Sequence, residues 1–309
     1  MFFLLSLLVS DCANKPETKS RVDHREKIKI IQSCLSRDDF RQAAVLFREI
    51  ENKISKDKLY FNIMYELALY SDNIDLRESY TKRLLKAAKN DKFPEYRRGS
   101  LYANLADLKK EKGELDSAKS ILKEALSQTL DPASERSIEC YAKPLSRLNL
   151  HAPRLKIHRW LNTDPISAAE LQGKTVLLDF WSPGCFPCRQ LFPRLQKLHQ
   201  QYQQQGLVII TITRLSRRYS DDLHHKVKVT LEEGVELTKQ FLSRHGISVP
   251  AGLVTDAILF DDFGVLGFPT LFLINQKGTI VDFKLGGDYF ERFEKKIRSL
   301  LMNQDKISE

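Results

Sequence analysis

Residues 175–195 read TVLLDFWSPGCFPCRQLFPRL, and this stretch decides the fold of the C-terminal half. Thr175 to Trp181 is a seven-residue stretch that, after its leading Thr, is apolar but for Asp179, the pattern of a buried strand. From Pro187 to Gln204 the large apolar residues Leu191, Leu195, Leu198 and Tyr202 recur at helical spacing. A second buried strand, Leu207 to Thr213, follows, and strand–helix–strand implies a parallel pair. Further on, the pattern predicts a helix near 236–245, an apolar segment at 247–254 and a hairpin joining 270–275 to 279–283 through Gln276-Lys277-Gly278. A last helix is expected from about 289 to 301. Together they predict a central mixed sheet of four or more strands, with helices on both faces.

Cys185 and Cys188 stand three apart at the start of the first of these helices. Two sulfurs so placed can join across one turn and separate again with little backbone movement. Cys185 would lie at the helix amino end, where free amides and the helix dipole favour a thiolate. It is therefore the expected nucleophile, and Cys188, one turn inward, the resolving thiol. Pro187 suits the first turn, where its missing N–H has no partner to lose. A structural zinc site is the rival reading, but it wants four ligands, often as two such pairs, and the chain has no second pair. The adjacent His224 and His225 read as a solvated loop. No metal or other cofactor is expected beyond the Cys185–Cys188 disulfide.

The run from Val176 to Leu195, with Gly267-Phe268-Pro269-Thr270 and Gly278, resembles the thioredoxin superfamily, and within it the exported TlpA/ResA-like branch. That resemblance spans about residues 153–301. It implies a thioredoxin-like α/β domain, with Cys185 and Cys188 as the redox pair. Asp179 falls on the buried acid that exchanges a proton with the inner thiol, Trp181 on an aromatic beside the site and Pro193 on a helix-kinking proline. Pro269 falls on a loop proline held in cis opposite the disulfide, with Phe268 and Thr270 flanking it. Trp181, Phe186, Pro187, Phe268, Pro269 and Thr270 are accordingly expected to form the substrate-binding surface. Two departures stand out. Gly184 replaces the Trp that often precedes the first cysteine, and residues 214–236 exceed the usual connection, which suggests an inserted loop or small hairpin.

The N-terminal half is of another kind. From Arg21 to Ala142 prolines are sparse and apolar residues recur at helical spacing. Leu101 to Leu126 resembles the tetratricopeptide (TPR) repeat, with small residues at Ala106, Ala118 and Ala125 and a turn at Gly113. Ala43, Phe47 and Ile50 repeat part of that pattern. The expected division is a leader and tether at 1–20, a TPR-like helical domain at 21–142, a linker at 143–153 and the thioredoxin-like domain at 154–309. The helical part would either dock a protein partner or serve as a spacer; Cys34 and Cys140 are expected to be small packed hydrophobes.

Residues 1–9, MFFLLSLLV, are too short for a membrane span but suit the apolar core of a secretory signal, and Cys12 follows directly. This resembles a bacterial lipoprotein signal, making Cys12 a lipidation candidate and anchoring on a membrane a possibility; the alternative is a simple cleaved signal. Either places the protein in the cell envelope, on the periplasmic side. The 309 residues carry a net charge of +9, with Lys and Arg against Asp and Glu splitting 28 to 23 over residues 1–150 and 21 to 17 over 151–309. No basic run exceeds a pair, which argues against nucleic-acid binding.

The expected activity is thiol-disulfide exchange with cysteine-containing proteins, as a reductant recharged by an upstream thiol donor. The direction is implied by the branch resembled, so an oxidant or isomerase stays open. The alternative is a partner-binding helical-repeat protein whose thioredoxin-like domain is mainly structural. Peroxide reduction wants a Thr three residues before the cysteine, where Ser182 stands.

Overall fold

A computed structural model describes residues 17–88, 97–128, 130–287 and 290–302, with side chains from residue 24 onward. Cys12 and the whole leader lie outside the described residues. The described residues form two compact units, one ending at Gly113 and the other beginning at Glu114.

The first unit contains α1 (Glu17–Leu35), α2 (Phe40–Ile50), α3 (Lys58–Tyr70), α4 (Ile74–Ala88) and α5 (Arg98–Glu111). Short connections make successive helices neighbours. Asp39 and Asp57 start α2 and α3 by accepting bonds from the otherwise orphaned first-turn amides. Ala43, Phe47 and Ile50 are fully packed, as are Leu67, Leu84 and Leu101. Several polar residues in this core are partnered, although the buried Tyr80 hydroxyl has no hydrogen-bond partner among the described residues. Arg77 donates to both carboxylate oxygens of Glu111, and Asn104 bonds the Ala68 carbonyl and the Thr81 hydroxyl. Cys34 is buried.

The second unit opens with two further helices, α6 (Leu115–Leu126) and α7 (Pro132–Leu145), and continues with β1 (Arg159–Trp160), α8 (Ala168–Leu171), β2 (Thr175–Trp181), α9 (Phe186–Tyr202) and β3 (Leu207–Arg214). A small hairpin, β4 (Arg218–Ser220) with β5 (His225–Val227), precedes α10 (Leu231–Arg244), β6 (Ala251–Val254), α11 (Ile258–Phe263), β7 (Thr270–Ile274), β8 (Ile280–Leu285) and α12 (Phe290–Met302). The six-stranded sheet runs β1-β6-β3-β2-β7-β8. β2 is parallel to β3 and β3 to β6, whereas β7 is antiparallel to both β2 and β8.

The two faces of β2 separate two cores. Strand alternation puts Leu177, Asp179 and Trp181 on one face, where Leu177 and Trp181 join Cys188, Leu191 and Leu195 of α9. Phe180 points the other way and meets Phe260, Phe263 and Phe272.

The expected boundary at 143–153 is corrected. The units divide after Gly113, so α6 and α7 belong with the sheet. Composition misled because Lys143 and Pro144 lie inside the last turn of α7, and the polar stretch after them is pinned to the sheet. Asn149 donates to the Ile280 carbonyl, Ile280 donates to Leu150, and Ala152 donates to Gly278. Tyr141 of α7 also packs on Phe283 of β8, their ring centres 4.9 Å apart.

Candidate active site

Cys185 caps α9. Its sulfur accepts a bond from the Cys188 amide at 3.2 Å, and the first helical residues are Phe186 and Pro187. Cys185 and Cys188 are joined as a disulfide, with Cα atoms 5.3 Å apart. The two sulfurs differ in access: Cys185 is half-buried and Cys188 is 1% exposed. Phe186, 60% exposed, projects beside them.

Asp179 lies on the middle of β2, paired in register with Thr211 of β3 and Leu271 of β7. It shares the face of β2 that packs on α9, between Leu177 and Trp181. It is 1% exposed, and neither carboxylate oxygen has a hydrogen-bond partner among the described residues. Burial without a compensating charge pushes its pKa up to about 8.

Opposite β2, the turn Gly267-Phe268-Pro269-Thr270 leads into β7, and its Phe268–Pro269 peptide is cis. Phe268 is 39% exposed and meets Phe260 edge-on. Two expected substrate contacts are corrected here. Trp181 is fully buried, stacked on Phe241 and edge-on to Phe192, so it props the site from beneath. Thr270 is also fully buried, and its hydroxyl donates to the Gly267 carbonyl at 2.8 Å, closing the turn. The Pro269 ring is likewise covered, which leaves Phe186, Pro187 and Phe268 as the exposed members of that set.

Two features around the site lay outside the sequence reading, and a third lay outside it only in part. Helix α7 braces the segment leading to the cis peptide: Arg136 donates to the Leu266 carbonyl at 3.1 Å and Arg147 to the Asp261 carbonyl at 3.2 Å. Gly264 has φ +72°, and a Cβ there would come within 2.8 Å of the Lys143 backbone. Cys140, half-buried on α7, faces Gly267; burial pushes its thiol pKa up. No spacing motif announces such contacts, which join residues more than a hundred positions apart. The third feature is partly legible: the long 214–236 connection does hold a hairpin, and a Cβ on Gly184 would lie 3.1 Å from the Ser220 carbonyl.

A mixed sheet of this order, with a disulfide at the start of the helix after its central strand, defines a thioredoxin-like domain. Residues 149–283 match the AhpC/TSA family. Among curated proteins the chain is similar to the thiol-disulfide oxidoreductase ResA of Halalkalibacterium halodurans, 33% identical over 128 residues, which cover 41% of this chain and 62% of that protein. ResA of Bacillus subtilis is 29% identical over 120 residues, covering 39% and 58%. The chain thus spans less than two thirds of the length of either relative. Among solved structures, a thiol-disulfide isomerase from Corynebacterium glutamicum matches with a TM-score of 0.40 and 23% identity, over 48% of this chain and 96% of that one.

Proposed function

We propose that this protein is an exported thiol-disulfide oxidoreductase that reduces disulfides in other proteins through Cys185 and Cys188. The observation that carries the reading is the asymmetry of the pair: a half-exposed sulfur capping a helix, bonded to a sealed one, over a buried unpartnered carboxyl. In the reduced protein the amino end of α9 favours the Cys185 thiolate. That thiolate attacks one sulfur of a partner disulfide, forming a mixed disulfide and releasing the partner's first thiolate, which takes a proton from water. Asp179, in its ionised form, accepts the proton of the Cys188 thiol. The Cys188 thiolate then attacks the Cys185 sulfur and expels the partner's second sulfur as a thiolate, which takes up the proton that Asp179 accepted. Two electrons pass to the partner, and the protein is left with the disulfide seen here. A thiol donor upstream restores the dithiol. A carboxyl near pKa 8 suits this exchange, since an ordinary thiol titrates close by.

Export rests on the apolar leader, and anchoring on Cys12 as the lipidated residue. The helical first unit, read as TPR-like repeats, would dock a protein partner. No helix among the described residues is long and apolar enough to cross a membrane. Replacing Cys185 by Ser and following reduction of a protein disulfide tests the activity. A loss of about a thousandfold or more is expected, and undiminished reduction would refute it.

A further inference from the structure

The hairpin β4–β5 stands beside the nucleophile, and its free charge is of one sign. Residues 214–230 hold five cations, Arg214, Arg217, Arg218, Lys226 and Lys228, against two carboxylates, Asp221 and Asp222. Both carboxylates are already engaged. Asp221 accepts from Arg244 of α10 at 3.0 Å and from the amides of Leu223 and His224, and Asp222 accepts from Arg244 at 2.8 Å. Tyr219 is buried and bonds the Leu237 carbonyl, so the hairpin is fastened to α10 by its inner face. Lys226 is paired with Glu233. Arg217, Arg218 and Lys228 are exposed, and among the described residues no carboxylate lies within ion-pair distance of them.

The outer face of the hairpin carries Arg218, Ser220, His225 and Val227, all exposed. Its position is set by Gly184: the Ser220 carbonyl sits 3.1 Å from where a Cβ would be, one residue before Cys185. Arg218 is two residues from Ser220 on the same strand, about 7 Å along it and on the same face. At low ionic strength, where the Debye length grows to about 30 Å at 0.01 M, a charge so placed acts on a partner reaching Cys185.

We infer that this hairpin is a docking surface for an acidic segment flanking the disulfide of the partner protein. The inference rests on the thiol-disulfide exchange reading and names the partner chemistry of that same site. Charge complementarity beside a reacting centre raises the encounter rate and selects among partners. A partner already reaching for Cys185 would pass its neighbouring residues over Arg218. Val227 on the hairpin and Phe186 next to Cys185 are exposed apolar residues that offer further contact.

The test uses the full chain, pre-reduced, in single-turnover reactions with two synthetic peptides that share one disulfide loop. One peptide has flanking Asp and Glu, the other flanking Lys. The second-order rate constant for the acidic peptide should exceed that for the basic one by about tenfold at low salt, and the ratio should collapse towards one at 0.5 M NaCl. In the Arg217→Glu/Arg218→Glu/Lys228→Glu variant the ratio should fall to one or invert. Should that variant fail to fold, the wild-type ratio and its salt dependence still decide the matter. Equal rates for the two peptides at low salt would overturn the docking surface while leaving the exchange reading intact. Oxidation by neither peptide would instead remove the exchange reading. Equal rates together with salt-sensitive binding to phosphatidylglycerol vesicles would assign the patch to a membrane surface and overturn the inference.

Discussion

Glu78 of the helical unit and Asp179 of the sheet unit are both buried carboxyls, 8% and 1% exposed, and their environments drive them in opposite directions. Glu78 bonds Lys112 and Lys82, with Lys109 beside it, and these cations pull its pKa down to about 2. Asp179 has no partner, and burial pushes it up to about 8. A carboxylate ringed by cations is locked in one charge state and serves packing and register. A carboxyl with nothing to compensate it destabilises the fold at neutral pH and stays poised to take or give a proton. An uncompensated group of this kind marks a site of chemistry more reliably than a paired one.

The largest effect expected from breaking this contrast is at Asp179. The unfolded carboxyl titrates near 4 and the folded one near 8, so the native state binds more protons between those values. Stability therefore falls as pH rises from about 4 to 8. At pH 7 the penalty is about 4 kcal/mol, three pH units at about 1.4 kcal/mol each. Asp179→Asn should recover most of that at pH 7 and little at pH 4. Both tryptophans, Trp160 and Trp181, lie in the second unit, so urea unfolding followed by tryptophan fluorescence reads this unit. The same variant should slow resolution of the mixed disulfide by about a hundredfold, because the proton acceptor is gone. Unchanged stability at pH 7 would mean that Asp179 is not buried as described.

Gly264→Ala comes next. Its φ of +72° disfavours any side chain, and the added methyl would strike the Lys143 backbone. A cost of about 2–3 kcal/mol is expected by the same fluorescence readout, with the Gly267–Thr270 turn loosened as α7 is pushed away. Wild-type stability would show that α7 does not hold the segment before the cis peptide.

Glu78→Gln should show the opposite pH sign to Asp179. A depressed folded pKa means that its contribution is present above about pH 4 and is lost as pH falls towards 2. The cost should be about 1 kcal/mol, since the lysines around it are partly solvated. Far-ultraviolet circular dichroism of helix loss on acid titration reads it, and a variant indistinguishable from wild type at pH 6 would argue that the cluster is screened away.

The contrast also marks what was legible in the sequence. The β2 strand, the cysteine pair and the position of Asp179 were readable, because a continuous apolar run, a fixed spacing and a single acid within that run are local patterns. The helices of the first unit were readable from their period, though not that Arg77 and Glu78 would be interior. Burial of Trp181 followed from the β2 strand, although the resemblance put it on the substrate surface; burial of Thr270 was not readable, because it depends on a bond across the Gly267 turn. The domain boundary failed for the same reason. Residues 143–153 look like a linker alone and become part of a fold only through Ile280, Gly278 and Asp261.

The smallest expected effect tests whether that misplaced helix matters to the site. Arg136 is exposed on α7 and sits in no ion-pair cluster like that of Glu78; its charge acts on the Cys140 thiol, and it donates a bond to the Leu266 carbonyl, two residues before Phe268. An exposed bond of this kind is worth about 0.5–1.5 kcal/mol, so global stability should barely move in Arg136→Ala. If the bond positions the turn, the apparent KM for a protein disulfide should rise about threefold while kcat and the reduction potential of the Cys185–Cys188 pair stay put. A fall in kcat with KM unchanged would place Arg136 in the chemistry instead, and no change in either would mean that the remaining α7 contacts hold the turn by themselves. In the first case a helix N-terminal to the matched family region would be fixing the geometry of substrate binding.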